Sequence, residues 1–145
     1  MPNNSDFTQY PDTVAEVLSN RKYKREVLKA MKRFKKSKPF RGEFVERRAK
    51  FAKVFYELCN AYDISINLEL PIEESGAGNG YYSHFNRSVS LVGKLSVVTL
   101  LHEFAHALGK NEKGACSWSL NLFRRFFPRS FERGYSDGHV LRRRD

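Results

Sequence analysis

At 145 residues, the chain can build one compact domain with a modest core and is too short for two. Its 41% apolar and 14% aromatic content excludes global disorder, and a formal charge of +10 favours contact with a polyanion without establishing it. Two cysteines, Cys59 and Cys116, exclude a disulfide framework or a CxxC metal site, so both are expected as buried thiols in a reducing, cytoplasmic setting. The opening "MPNNSDFTQYPD" is polar and acidic, unlike a signal peptide, and "LSVVTLL" is far too short for a bilayer span.

In chain order, residues 1 to about 11 read as a loose leader. Thr13 to Lys36 carries two apolar stripes at helical spacing, Val14, Val17 and Leu18, then Val27, Leu28, Met31 and Phe34. One or two helices are expected there, ended by "SKPF" before Pro39. A second helical pattern runs from Gly42 to Tyr62 with Phe44, Phe51, Val54, Phe55 and Leu58 inward. "DISINLEL" then alternates Ile64, Ile66, Leu68 and Leu70 with polar neighbours, the mark of a half-buried strand. The glycine-rich "PIEESGAGNG" reads as a flexible loop. "YYSHF", "NR" and "SVSLVG" read as a hairpin with Val89 and Leu91 on one face.

"KLSVVTLLHEFAHALG" follows as a helix apolar on most sides, stopped by Gly109. "EKGACSWSLNLFRRFF" gives another helix up to Pro128, and residues 129–145 read as a basic loop. The expected class is α+β in a single domain: N-terminal helices, a small three-stranded, mainly antiparallel sheet, then two helices. Residues 1–40 form a basic helical extension, 41–128 the core and 129–145 a basic tail. The extension is also a candidate latent segment lying over the cleft.

The chemistry concentrates in "LHEFAHALGKNE", residues 101–112. On a helix, His102 and His106 project from one face, and that spacing lets both rings reach one ion. Glu103 sits one step aside, where it misses the ion but reaches the water that the ion activates. By chance alone, such a His-Glu-x-x-His pattern is expected in fewer than about one chain of this size per hundred. An apolar helix that carried these three polar residues without partners would also pay a burial penalty.

Hydrolytic zinc needs a third protein ligand beside an open position. Glu112 is the first candidate, because Gly109 allows a sharp turn that brings the start of the next helix beside His106. An acid at a helix N-terminus also has a purely structural reading. Asp137 and His139 in the tail are the alternatives, and Cys116 reads as a small buried residue. Tyr81, Tyr82, His84, Tyr135 and His139 are the available oxyanion donors, none of them singled out.

These residues carry a resemblance. "VVTLLHEFAHALG" resembles the active-site helix of the zincin metallopeptidases, and "EKGACSWSLNLF" resembles the glutamate helix of the gluzincin branch. Small members such as the minigluzincins and the ImmA/IrrE- and SprT-like proteases place three short strands before that helix. The resemblance spans roughly residues 62–127. It implies peptide-bond hydrolysis, with His102, His106 and Glu112 as zinc ligands and Glu103 as general base and acid. It also implies that the last strand, Ser88 to Val92, offers its edge to an extended peptide substrate. The gap from His106 to Glu112 is shorter than in most gluzincins. Read as HExxHxxGxxE, the stretch resembles the metzincin signature with Glu in place of its third histidine, although no methionine follows it. Either branch selects Glu112.

The second sequence signal is charge. Between Arg21 and Lys53 a long Lys/Arg run is opposed only by Glu26, Glu43 and Glu46, and it supports non-specific nucleic-acid contact by the N-terminal helices. Set against a zinc peptidase acting on a protein or peptide, the alternative is therefore a basic nucleic-acid-binding protein with a structural or inactive zincin core. A hydrolase acting on a non-peptide bond is a third reading.

Overall fold

A computed structural model describes residues 13–135. Five helices and a three-stranded sheet enclose one core, in the α+β class that the pattern of elements predicts.

The first stripe forms only a short 3-10 turn, Val14–Glu16, which buries Val14 and Val17. Residues 17–24 do not continue as a helix because the buried Asn121 amide supplies their backbone with other partners. Its Oδ1 accepts from the Ser19 N–H at 2.9 Å, and its Nδ2 donates to the Val17 carbonyl at 2.8 Å. Helix α1, Arg25–Lys36, buries Val27, Ala30, Met31 and Phe34, one face of a 3.6-residue repeat, and keeps its cations outside. As far as it is described, the stretch read as a basic extension therefore contributes to the common core.

Helix α2, Phe44–Ala61, opens with a reciprocal capping box between Glu43 and Glu46. Phe51, Val54, Phe55 and Leu58 are buried as expected. Phe44 is not: it lies half-buried at the rim, with the Arg47 guanidinium 5.6 Å from its ring centre. Strand β1, Asn67–Glu69, is shorter than the alternation in "DISINLEL", yet Ile66 is buried and its polar neighbours are exposed.

Strands β2, Asn79–Ser83, and β3, Ser88–Val92, form the hairpin. Its connection spans residues 84–87 rather than "NR" alone, with Arg87 in the left-handed region at φ 50°. The sheet order is β1-β3-β2. β3 pairs antiparallel with β2 over five positions and parallel with β1 over three, so the sheet is mixed. Being central, β3 has Ser88 to Leu91 all buried, and neither of its edges is open to a peptide. The expectation that Ser88–Val92 offers a free edge is therefore overturned; β1 and β2 are the edge strands.

The "PIEESGAGNG" loop is tied down at several points. Arg47 pairs with Glu74 at 2.8 Å and holds its carboxyl below the usual range, and the Ser75 N–H donates to the Gly93 carbonyl. Gly93 sits at φ 82°, and a Cβ there would meet the Ala77 carbonyl oxygen at 2.2 Å. Left-handed strain and overpacking together give Gly93→Ala an expected cost of about 2–5 kcal/mol. Thermal unfolding should show a Tm lower by about 10 °C; a change of under about 2 °C would contradict the close approach.

Helices α3, Val97–Ala107, and α4, Glu112–Phe126, pack against each other and carry the motif. Beyond Phe127, where a loop is expected, the chain forms helix α5, Pro128–Tyr135, and buries Phe131. Proline at a first helical position costs no hydrogen bond, so Pro128 ends one helix and begins another. None of the described helices is long and apolar enough to cross a membrane.

Candidate metal centre

The α3 helix starts at Ser96, whose side chain caps the Thr99 N–H at 3.2 Å. Leu100, Leu101, Phe104 and Ala105 anchor it in the core, with Phe104 packed against Phe55, Tyr62 and Trp118. Its polar residues His102 and Glu103 are buried too, only 5% and 3% exposed. The helix therefore holds the His-Glu-x-x-His motif at the boundary between core and cleft.

The turn after α3 does two jobs. The Gly109 N–H bonds the His106 carbonyl, and the Lys110 N–H bonds the Ala105 carbonyl, a Schellman closure with Gly109 at φ 94°. The Lys110 carbonyl then lies 2.8 Å from His106 Nδ1, which donates to it and leaves Nε2 facing the site. Asn111 caps the next helix by accepting from the Gly114 N–H at 2.7 Å, so Glu112 is its first residue. A reversal this tight brings Glu112 back to the histidines six residues after His106.

His102, His106 and Glu112 converge, with one donor atom from each all within 4.8 Å of one another. The two Nε2 atoms are 3.2 Å apart, and His102 Nε2 is 3.6 Å from Glu112 Oε2. A tetrahedral ion at zinc distances spaces its ligands by about 3.3–3.4 Å, so both separations suit one ion. The third, His106 Nε2 to Glu112 Oε1, is a charged hydrogen bond of 2.5 Å. Two imidazole nitrogens and a carboxylate fit a borderline divalent metal, and this trio can hold one.

Electrostatics agree with the geometry. Burial raises the Glu112 carboxyl, but hydrogen bonds from His102 and His106 outweigh it and hold the group down at about 2. Burial lowers His106, whereas its bonds to Glu112 and the Lys110 carbonyl raise it above the ordinary value. Unlike the trio, Cys116 lies behind the site, its Sγ 3.8 Å from His102 Nδ1, on the ring edge away from Nε2. It is a buried neighbour and not a donor of the trio. Asp137 and His139 lie outside the described residues.

A cleft of about 460 Å³ opens over His106 and Glu112. Gly80, Tyr81, Tyr82 and His84 form one wall, and Glu103, His106 and Glu112 form the other. Glu103 thus faces the same space as His106 and Glu112 without belonging to the trio. Tyr82 Oη is 3.2 Å from His84 Nδ1, which fixes that pair in the cleft wall. No described residue of 13–40 lines this cleft, and the rest of the segment expected to cover it, residues 1–12, lies outside the described residues.

Sequence reasoning missed two parts of the site. The strand beside the cleft is β2, and the Lys110 carbonyl orients His106. Gly80 lets the strand approach closely, since a Cβ there would meet Thr99 Cγ2 at 2.6 Å. An isolated glycine in a strand pattern is the one local signal for such an approach. Among family models, curated proteins and solved structures, none matches this chain.

Proposed function

We propose that this chain is a zinc-dependent metallopeptidase. The observation that carries the reading is the convergence of His102, His106 and Glu112, with His106 and Glu112 lining the same open cleft as the buried Glu103. A zinc ion held by the trio would supply Lewis acidity and lower the pKa of a water toward about 7.

The chain's own groups supply the rest. Glu103 takes one proton from the attacking water as the new C–O bond forms, then delivers it to the amide nitrogen as the C–N bond breaks. A carboxylate inside a largely apolar helix is sheltered from bulk water and placed for both transfers. Tyr82, oriented by His84 in the cleft wall, is a candidate donor to the developing oxyanion. An extended peptide would add to the sheet through the β2 edge and pass between that strand and α3. Cys59 and Cys116 are both buried thiols, which supports a reducing, cytoplasmic setting.

The test is the metal content of the purified protein, measured together with cleavage of casein and a fluorogenic peptide library. The reading expects one zinc per chain, and cleavage that a chelator abolishes and added zinc restores. Protein that neither holds zinc nor takes it up would overturn the reading. Stoichiometric zinc with no cleavage would favour a structural zincin core.

A further inference from the structure

A second cavity, of about 610 Å³, lies between the α1–α2 connection and the α4–α5 junction and shares no lining residue with the metal cleft. Lys35, Lys38 and Arg41 enter it from one side, Arg129 and Arg133 from the other. All five are exposed, and no acid lines the cavity. None of the five forms an ion pair among the described residues, unlike Arg33 and Arg47. Five like charges around one opening repel each other, and an anion placed among them relieves that repulsion.

The aromatic lining adds a second kind of recognition. Phe40 is 54% exposed, yet it is held edge-on against Phe127 with ring centres 5.3 Å apart. The turn that presents it is fixed in shape. Lys38 adopts φ 58°, and its carbonyl accepts from the Arg41 N–H at 3.1 Å and from Lys50 Nζ at 3.1 Å. A positioned aromatic face among cations suits a base joined to phosphates. It does not suit a duplex, whose bases already stack on one another.

We infer that this cavity binds single-stranded nucleic acid, with Lys38, Arg41 and Arg129 on the phosphates and Phe40 stacked on a base. The site is independent of the metal reading. It also moves the nucleic-acid contact from the outer faces of the N-terminal helices to a defined groove between the α1–α2 connection and the α4–α5 junction.

The test is fluorescence anisotropy with a labelled oligo-dT of about 12 nucleotides, titrated over a range of salt. Wild type should bind at low salt, with log K falling against log salt at a slope of about −2 to −3.5, as three to five neutralised phosphates require. Lys38→Glu/Arg129→Glu should weaken binding at least tenfold. Lys29→Glu/Lys32→Glu, the same charge change on exposed α1 positions outside the cavity, should weaken it less than about threefold. Phe40→Ala should cost about fivefold or more and leave the salt slope unchanged.

Equal losses in the two charge-reversal pairs would overturn the inference, because net charge alone would then explain binding. So would a blunt-ended duplex bound as tightly as oligo-dT. Inorganic phosphate or anionic vesicles that bind the cavity where oligo-dT does not would overturn it too. Circular dichroism melts verify that each variant is folded.

Discussion

Glu103→Gln is expected to abolish hydrolysis and leave the metal in place. The amide keeps the shape of the carboxylate at a position only 3% exposed, so packing around α3 is preserved. It cannot accept the proton that attack by water releases. Losing a positioned general base lowers turnover by about 10²–10⁴-fold. Metal content should not change, because Glu103 is outside the trio of donors. A loss below about tenfold would mean that another group serves as base. Loss of the metal itself would place Glu103 among the ligands and reverse the assignment of Glu112.

Glu112→Ala should have the opposite signature. It leaves two imidazoles where hydrolytic zinc uses three protein ligands, and metal affinity should fall by more than the roughly 10–100-fold typical of altering a ligand's supporting partner. Competition with a colorimetric zinc chelator reads this directly. Glu112→His returns a donor at the same helix start and should recover part of the affinity. If Glu112→Ala binds zinc as tightly as wild type, the third ligand lies elsewhere in the chain.

The same variant has a defined pH dependence in metal-free protein. Glu112 is depressed from 4.5 to about 2, so its contribution to stability is full above 4.5 and is lost as pH falls toward 2. His106 is raised above 6.5, so its contribution is full below 6.5 and is lost as pH rises through the raised value. The gap in Tm between chelator-treated wild type and Glu112→Ala should therefore be widest between 4.5 and 6.5. A gap that widens steadily above that window would contradict the ion pair.

What the sequence determined by itself is local in origin. Helix periodicity set α2 to α4 and the end of α1 to within a few residues, because a buried stripe such as Val27, Met31 and Phe34 permits only one repeat. The one-turn spacing of His102 and His106, and the glycine that reverses the chain before Glu112, were legible for the same reason. The φ of 94° at Gly109 and the Schellman bonds are short-range consequences of that residue order.

What the tertiary structure decided depends on contacts distant in sequence. Residues 17–24 leave the helical pattern because Asn121, about a hundred positions away, bonds their backbone. β3 is central because β1 pairs with it in parallel across an intervening strand, a choice that alternation cannot encode, and this gives the cleft wall to β2. The helix after Pro128 was hidden behind a residue that ends helices as readily as it begins them. The cation-lined cavity was equally invisible: Lys38 and Arg129 are ninety-one positions apart, and only the packing of α4 and α5 against the α1–α2 connection brings their charges to one opening.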